Sequence, residues 1–385
     1  MSVLKDRLTT MLQDFIQKGV PGCACSVLRG GQTLAEAYEG YADLEAGKPI
    51  APDTIYRIYS MSKVITCASA LMLYERGLFA LNDPLYEYLP EFRDMQVFRH
   101  SPNGSISTSP ATGPIRVRDL FTMSSGYPYP GGDSETGRRL AQDLDAMEKA
   151  EPDRQWTLRD FTRALAAVPL AFDPGTRWLY GFSHDILGAF VETVSGKRFG
   201  QFLQDEIFAP LGMEDTSFRI AQGKRDRLCC MYDRADDGKL TKNTGMDADY
   251  QPGAAFESGG GGLLSTLGDY QRFAQAMAGA GDVRLLSPHT VRLMASNHLN
   301  AQQMADYNWV QLAGYGYGLG VRVLTDPAAG GSNSTPGEFG WMGLAGTIVY
   351  IDPKEQLSIV YAQQMLPNQE TYHLPRIRSV VYGAI

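Results

Sequence analysis

The spacing of apolar positions changes twice in the first 80 residues, from helical to strand-like and back to helical. Five apolar residues recur at helical spacing among charged ones: Leu8, Met11, Leu12, Phe15 and Ile16. They predict an amphipathic helix that ends near Gly19. Residues 23–29 and 32–42 then alternate as strands do, and Gly30-Gly31 between them predicts a hairpin. Residues 61–76 return to a helical pattern.

The rest of the chain separates into a helical middle and a strand-rich end. Helical patterns occupy residues 117–123, 136–149, 157–167 and 183–195, and strand patterns follow in 316–324, 346–352 and 356–364. Strands at both ends of the chain predict an α/β (α+β) fold, in which an antiparallel sheet flanked by helices is joined to a mostly helical lobe. We expect a single catalytic domain over 1–385, with an α/β lobe from about 1–75 and 255–385 and a helical lobe from about 76–254.

Composition excludes several classes of function. The chain has 385 residues, 44% hydrophobic residues and a formal net charge of −8, so we expect a large core and no nucleic-acid partner. No apolar segment is long enough to span a bilayer and no secretory leader is visible, which predicts a cytoplasmic protein without a membrane partner. The five cysteines lack histidines at ligand spacing, so we expect no metal and no cofactor. The sequence does not indicate an oligomeric state.

The segment Ser60-Met61-Ser62-Lys63 carries the clearest chemical signal. A serine hydroxyl needs a base to become a nucleophile, and residues three apart at the start of a helix share one face. Partial burial is expected to lower the pKa of Lys63 and allow it to act as a neutral base. The same spacing at Ser2 and Lys5 is incidental, because only Ser60 follows a strand-like run and opens a long apolar helix. The structural alternative is a helix cap at Ser60 with Lys63 in solvent.

Two further segments supply candidate site residues. Tyr180 precedes a helix, so its hydroxyl is in a position to project from a loop into a cleft and transfer protons. Gly343 and Gly346 lie in a predicted strand, where glycine suggests that something approaches the backbone closely. We expect a substrate carbonyl there, accepting a hydrogen bond from the N–H of Leu344. Taken alone, each segment also fits a purely structural role.

Together these segments resemble the serine β-lactamase and penicillin-binding-protein superfamily, in particular its class C-like branch and the carboxylesterases of the same fold. The matching segments, in chain order, are IYRIYSMSK (55–63), RDLFTMSSGYP (118–128), PGTRWLY (174–180), SGGGGLLSTLGDYQRF (258–273) and GWMGLAGT (340–347) followed by IDP. The resemblance implies a β-lactamase/transpeptidase-like fold. It also implies a nucleophilic Ser60, Lys63 as its activating partner, Tyr180 as proton shuttle, and an oxyanion hole from the N–H groups of Ser60 and Leu344.

The sequence departs from the lactam-hydrolysing relatives at two motifs. Phe182 stands where they have the Asn of Tyr-x-Asn, and Trp341-Met342-Gly343 replaces their Lys-Thr-Gly. Both changes remove polar partners of a β-lactam, so the resemblance favours a serine hydrolase that cleaves small carboxylic esters. A β-lactamase, a D-Ala-D-Ala-type peptidase and an acyltransferase remain alternatives. The segment from Tyr127 to Phe172 is expected to form one wall of the acyl pocket.

Two other interpretations are weaker. The segment from Gly181 to Asp185 nearly matches the G-x-S-x-G motif of α/β-hydrolases, with Ser183 as nucleophile, but its last glycine is missing and no strand precedes it. A catalytically inactive member of the same fold would serve as a binding protein, and the intact Ser60, Lys63 and Tyr180 count against that role.

Overall fold

The computed structural model describes residues 3–151, 154–247, 250–251 and 254–385. Its largest sheet has eight strands, and every neighbouring pair in it is antiparallel. Across the sheet the strands are β10 (Tyr315–Tyr317), β11 (Arg322–Leu324), β12 (Phe339–Met342), β13 (Ile348–Asp352), β14 (Leu357–Gln363), β1 (Gly22–Arg29), β2 (Gln32–Asp43) and β3 (Lys48–Pro49). The two ends of the chain therefore meet where β1 pairs with β14.

Helices cover both faces of this sheet. The ring of Phe15 on α1 (Val3–Gln17) packs against Tyr361 of β14, with centroids 6.0 Å apart. On α9 (Leu267–Met277), Gln271 and Gln275 bond to Ser358 of the same strand. Because side chains alternate along a strand, residues 358 and 361 point to opposite faces, and so α1 and α9 lie on opposite sides. The C-terminal helix α12 (Glu370–Tyr382) packs against α1. Arg7 of α1 donates a hydrogen bond to the carbonyl of Gly383, the residue just after α12.

In the described residues, nine further α-helices and three small sheets complete the fold. The helices are α2 (Ser62–Glu75), α3 (Val117–Phe121), α4 (Glu135–Ala150), α5 (Leu158–Ala166), α6 (Ser183–Ser195), α7 (Phe199–Leu203), α8 (Ala209–Leu211), α10 (Pro288–Met294) and α11 (Ala301–Asp306), with a π-helical turn at Gln204–Phe208. The small sheets are β4 (Tyr56–Arg57) with β9 (Leu264–Ser265), β5 (Gln96–His100) with β6 (Ile106–Pro110), and β7 (Met231–Arg234) with β8 (Leu240–Asn243) and β15 (Met365–Leu366). Helix α2 is buried from Ser62 to Leu73, which places it in the centre of the molecule.

The predicted elements agree with this architecture in most places. The first helix, the hairpin at Gly30-Gly31 and the four helices of the middle all appear within a few residues of the predicted ranges. One local prediction is wrong: β12 ends at Met342, so Gly343 and Gly346 lie in the turn between β12 and β13. In the described residues, none of the helices combines the length and the apolar character that crossing a bilayer requires.

Candidate active site

Ser60 lies in a short 3₁₀ turn (Tyr59–Met61) that leads directly into α2. The preceding residue, Tyr59, has a φ of 43°, which is unfavourable for a residue with a side chain. This strained turn leaves Ser60 partly exposed while its neighbours from Thr54 to Tyr59 and from Met61 onward are buried. The first N–H groups of a helix have no partner within it, so the N–H of Ser60 is available to an anionic oxygen.

Lys63 lies one helical turn after Ser60, and its side chain is completely buried. Its Nζ donates to Ser60 Oγ at 3.2 Å, to the Tyr129 hydroxyl at 2.8 Å and to the Gly260 carbonyl at 2.5 Å. An ammonium group has three hydrogens to donate, and these three acceptors match them. The hydroxyl that contacts Lys63 therefore belongs to Tyr129, a residue of the segment that the sequence predicts as one wall of the acyl pocket.

The charge state of Lys63 differs from the prediction. Burial by itself lowers the pKa of Lys63, but Tyr129, Tyr180 and Asp185 favour the charged form more strongly, and the pKa is raised above its usual value. Burial also raises the pKa of Tyr129, which Lys63 offsets only in part. The resting site thus contains an ammonium group beside a neutral phenol. The expectation of a lowered lysine pKa was wrong because it considered burial without the acceptors and the carboxylate around Nζ.

Asp185, in the first turn of α6, holds the backbone that Lys63 contacts. Its Oδ1 accepts hydrogen bonds from Ser258 Oγ at 2.5 Å and from the Gly260 N–H at 3.1 Å, while the Gly260 carbonyl accepts from Lys63. Burial raises the pKa of Asp185, and the nearby Lys63 ammonium partly offsets this. A buried carboxylate near a buried ammonium lowers the cost of burying either charge. Asp185 therefore positions Lys63 through the backbone of a single residue, Gly260.

Tyr180 contacts the site in a different way from Tyr129. Lys63 Nζ lies 4.6 Å from the centre of the Tyr180 ring, so the ring stabilises the ammonium charge from its face. The Tyr180 hydroxyl accepts a hydrogen bond from Trp341 Nε1 at 2.8 Å, and the two rings stack with centroids 5.5 Å apart. Because this contact occupies Tyr180 as an acceptor, its own hydroxyl hydrogen remains available to a ligand. Among the described contacts, Lys63 and the Tyr180 hydroxyl are not hydrogen-bonded to each other.

Leu344 lies in the turn after β12 and lines the same cavity as Ser60. The Gly343 N–H closes the turn on the Thr347 carbonyl at 2.8 Å. A Cβ at Gly343 would lie 2.4 Å from the carbonyl oxygen of Ile58, two residues before Ser60. Glycine is therefore required at this position because the backbone of Ile58 lies so close. The sequence pattern instead suggested a substrate that approaches the strand. The backbone N–H of Leu344 has no acceptor among the described residues, so it too is available to a ligand.

These groups face a cavity of about 1330 Å³. Most of one wall is aromatic: Tyr129, Phe161, Tyr180, Phe182, Phe256, Trp309 and Trp341. The ring of Phe182 stands edge-on to Tyr129 at 5.0 Å and to Phe161 at 4.9 Å. Six predicted residues line this cavity: Ser60, Tyr180, Phe182, Trp341, Gly343 and Leu344. Sequence reasoning did not identify Trp309 or Asp185, nor Glu370, which lies at the edge formed by α12.

The placement of Tyr127 in the pocket wall was wrong. Its side chain is fully buried in the core, 6.0 Å from the Phe92 ring between centroids, while its backbone carbonyl accepts the N–H of Phe182. The side chain therefore turns away from the cavity. The later part of the segment does reach it, through Tyr129, Pro130 and residues between Glu148 and Phe161.

Tyr127→Ala is consequently expected to reduce stability and leave the choice of acyl group unchanged. Emptying a fully buried aromatic site costs about 3–5 kcal/mol of unfolding free energy. Chemical denaturation of the wild type and Tyr127→Ala measures this cost, and a series of p-nitrophenyl esters from acetate to octanoate measures the acyl profile. A shifted profile at unchanged stability would return Tyr127 to the pocket wall.

The proposed nucleophile elbow at Ser183 has no counterpart in the fold. Ser183 is buried and its Oγ bonds to Ser125 Oγ at 2.8 Å, and His184 is enclosed between Cys67 and the Phe121 carbonyl. The main sheet is antiparallel, whereas an elbow requires a strand of a parallel sheet before the serine. In the described residues, no group of three or more His, Cys, Asp or Glu side chains is arranged to hold a metal ion.

Comparisons with known proteins agree with this fold. The family model described as Beta-lactamase matches residues 5–381. Esterase EstB of Burkholderia gladioli is 28% identical over 89% of this chain and 86% of its own length. Monacolin J acid methylbutanoyltransferase of Aspergillus terreus is 27% identical over 83% of this chain and 79% of its own. The solved structure of EstCE1, a hydrolase with promiscuous acyltransferase activity, superposes with a TM-score of 0.80 at 24% identity, covering 99% of this chain and 98% of that one.

Proposed function

Since the chain belongs to the Beta-lactamase family, we propose that it is a serine hydrolase that cleaves carboxylic esters through an acyl-enzyme on Ser60. The observation that carries the proposal is the position of Lys63 Nζ, 3.2 Å from Ser60 Oγ and 2.8 Å from the Tyr129 hydroxyl, beside a large cavity. A serine with a buried lysine and a phenol within hydrogen-bond distance has the neighbours that acyl transfer requires.

In the first step, Ser60 Oγ attacks the ester carbonyl carbon and its proton passes to the Lys63–Tyr129 pair. The pair accepts a proton only after losing one of its own, because its resting form is an ammonium and a neutral phenol. The raised pKa values of both groups make this competent form a minority at neutral pH, but they also make it a strong base. The N–H groups of Ser60 and Leu344 stabilise the oxyanion that forms.

The second proton transfer is assigned to Tyr180. The C–O bond to the alcohol breaks as the oxyanion collapses, and the Tyr180 hydroxyl protonates the departing oxygen. Its orientation is fixed by the hydrogen bond from Trp341 Nε1, which stabilises a phenolate as well as a phenol. A water molecule then attacks the acyl-Ser60 carbonyl by the reverse sequence of proton transfers and releases the acid.

Short-chain aryl esters are expected to be better substrates than β-lactams, by on the order of 10²-fold or more in kcat/KM. The indole N–H of Trp341 already donates to the Tyr180 hydroxyl, and the Phe182 ring packs against the rings of Tyr129 and Phe161. Neither side chain therefore offers a hydrogen-bond partner to a lactam carboxylate or amide. The comparison uses p-nitrophenyl butyrate and a chromogenic cephalosporin, with intact-mass detection of the acyl-enzyme. An equal or higher efficiency on the cephalosporin would contradict the assignment and favour a β-lactamase.

Acyl transfer is the second candidate, and the methylbutanoyltransferase among the relatives supports it. A transferase differs from a hydrolase only in the nucleophile that resolves acyl-Ser60, so every residue assigned above would keep its role. The cavity of about 1330 Å³ has room for an acceptor alcohol beside the acyl group.

A further inference from the structure

A carboxylate lies at one edge of the cavity and has no part in the chemistry assigned so far. Glu370, at the start of α12, lines the cavity together with Gln311 and Asn368. Gln311 Nε2 donates to Glu370 Oε1 at 2.6 Å, and Asn368 Nδ2 lies 3.5 Å from Oε2. Two amides therefore fix the orientation of the carboxylate, while each of its oxygens retains a free lone pair.

Glu370 also lacks a cationic partner within the described residues. No Lys, Arg or His nitrogen in that part of the chain lies within 4.0 Å of its oxygens. Three other cations near the cavity each have an acidic neighbour of their own: Lys63 lies beside Asp185, Arg154 pairs with Glu151 and Asp160, and Arg322 faces Glu338 at 3.7 Å. Burial raises the pKa of Glu370, and the Asn368 amide and the more distant Arg322 offset this only in part, so a cation entering the cavity would further stabilise the carboxylate.

Aromatic rings that line the same cavity as Glu370 suit such a cation. Trp309 lies two residues before Gln311, and its ring centroid is 5.2 Å from that of Tyr180 and 6.4 Å from that of Trp341. All three rings line the cavity. Indole and phenol faces attract ammonium groups, and quaternary ammonium ions are held by clusters of such rings.

The carboxylate is also close to the centre that develops negative charge. Asn368 Nδ2 donates to the Leu344 carbonyl at 2.9 Å and faces Glu370 with the same amide nitrogen. One side chain thus separates Glu370 from the residue whose N–H is assigned to the oxyanion. A charged Glu370 opposes the oxyanion of a neutral ester, and a substrate cation placed between them removes that repulsion.

We propose that Glu370 and the rings of Trp309 and Trp341 form a subsite for an ammonium group, and that the preferred substrates are esters bearing a positive charge. This inference rests on the proposed ester hydrolysis and specifies its substrate class. The cation is carried either by the alcohol or by the acyl group, and the experiment separates the two.

The test compares matched esters of equal shape. In the alcohol series, choline butyrate is compared with 3,3-dimethylbutyl butyrate. In the acyl series, the p-nitrophenyl ester of 4-(trimethylammonio)butanoate is compared with that of 5,5-dimethylhexanoate. In one series the cationic ester is expected to exceed its neutral partner in kcat/KM by about tenfold or more. Glu370→Gln is expected to reduce that ratio by about five- to fiftyfold, because the amide keeps the shape and removes the charge.

Glu148→Gln is the matched control, since Glu148 is an exposed carboxylate at another part of the same cavity, and it should leave the ratio as in the wild type. Ratios near one in both series, or a ratio that survives in Glu370→Gln, would overturn the inference while neutral ester turnover upholds the hydrolase. Absence of turnover on all four esters would instead refute the proposed ester hydrolysis itself.

If Glu370→Gln does not fold, inhibition of the wild type decides the question. Choline should then inhibit ester hydrolysis more strongly than 3,3-dimethylbutanol does, and equal inhibition by the two alcohols overturns the inference.

Discussion

Ser60→Ala is expected to reduce kcat for p-nitrophenyl butyrate by about 10⁴–10⁶-fold. The reason is that the acyl-enzyme cannot form without Oγ, whereas the oxyanion donors and the cavity persist and sustain only a small residual rate. The protein should remain folded, because Ser60 is partly exposed and its described side-chain contact is a hydrogen bond from Lys63. Intact-mass analysis after exposure to an organophosphonate should show one adduct in the wild type and none in Ser60→Ala.

Ser183→Ala provides the control for this experiment. Ser183 is buried and bonded to Ser125, so its loss is expected to lower stability by about 1–3 kcal/mol without preventing acylation. Turnover that persists in Ser60→Ala and disappears in a folded Ser183→Ala would refute Ser60 as the nucleophile.

Lys63→Ala and Tyr129→Phe are each expected to lower kcat by about 10²–10⁴-fold, the range for groups that transfer protons in the transition state. Since the two side chains form one hydrogen-bonded pair, the double variant should be little worse than the more damaging single variant. Lys63→Ala also leaves Asp185 buried without its neighbouring cation, so the melting temperature should fall, and rates must be measured on protein shown to be folded.

Tyr180→Phe serves as the comparison, because its hydroxyl bonds to Trp341 and lies outside the Lys63–Tyr129 pair. Its effect should multiply with that of Tyr129→Phe, and should be greater for ethyl butyrate than for p-nitrophenyl butyrate, whose leaving group needs no proton. The roles assigned to the two tyrosines would be reversed by the opposite pattern. In that pattern the losses in kcat multiply when Lys63→Ala is combined with Tyr129→Phe, and do not multiply when it is combined with Tyr180→Phe.

The sequence predicts well whatever local spacing determines. Lys63 lies within reach of Ser60 because three residues on a helix make one turn, and the hairpin at Gly30-Gly31 follows from two adjacent glycines between alternating segments. The overall fold is also correctly predicted, since several ordered motifs at the right separations specify the family. Residue spacing within one segment was therefore sufficient to predict local contacts, and the order of the motifs was sufficient to predict the fold.

Contacts between distant segments could not be obtained in this way. Tyr127 and Tyr129 are two aromatic residues in one turn-rich segment, and nothing in their spacing indicates that the first enters the core and the second meets Lys63. The raised pKa of Lys63 depends on Asp185 and Tyr180, which are more than 100 positions away in sequence. Glu370 resembles an ordinary acidic residue at the start of a helix until the tertiary structure places it in the cavity.

The pairing of β1 with β14 has a consequence for biosynthesis. Cys23 lies opposite Gln363, so β1 is translated long before the strand with which it pairs. During that interval one edge of the β1–β2 hairpin is unpaired, and such an edge invites contacts with other nascent chains. β14 also pairs with β13, which directly follows the Leu344 turn, so the sheet on both sides of β14 is complete only when this late strand docks. A chaperone that protects the early hairpin should therefore raise the yield of folded protein.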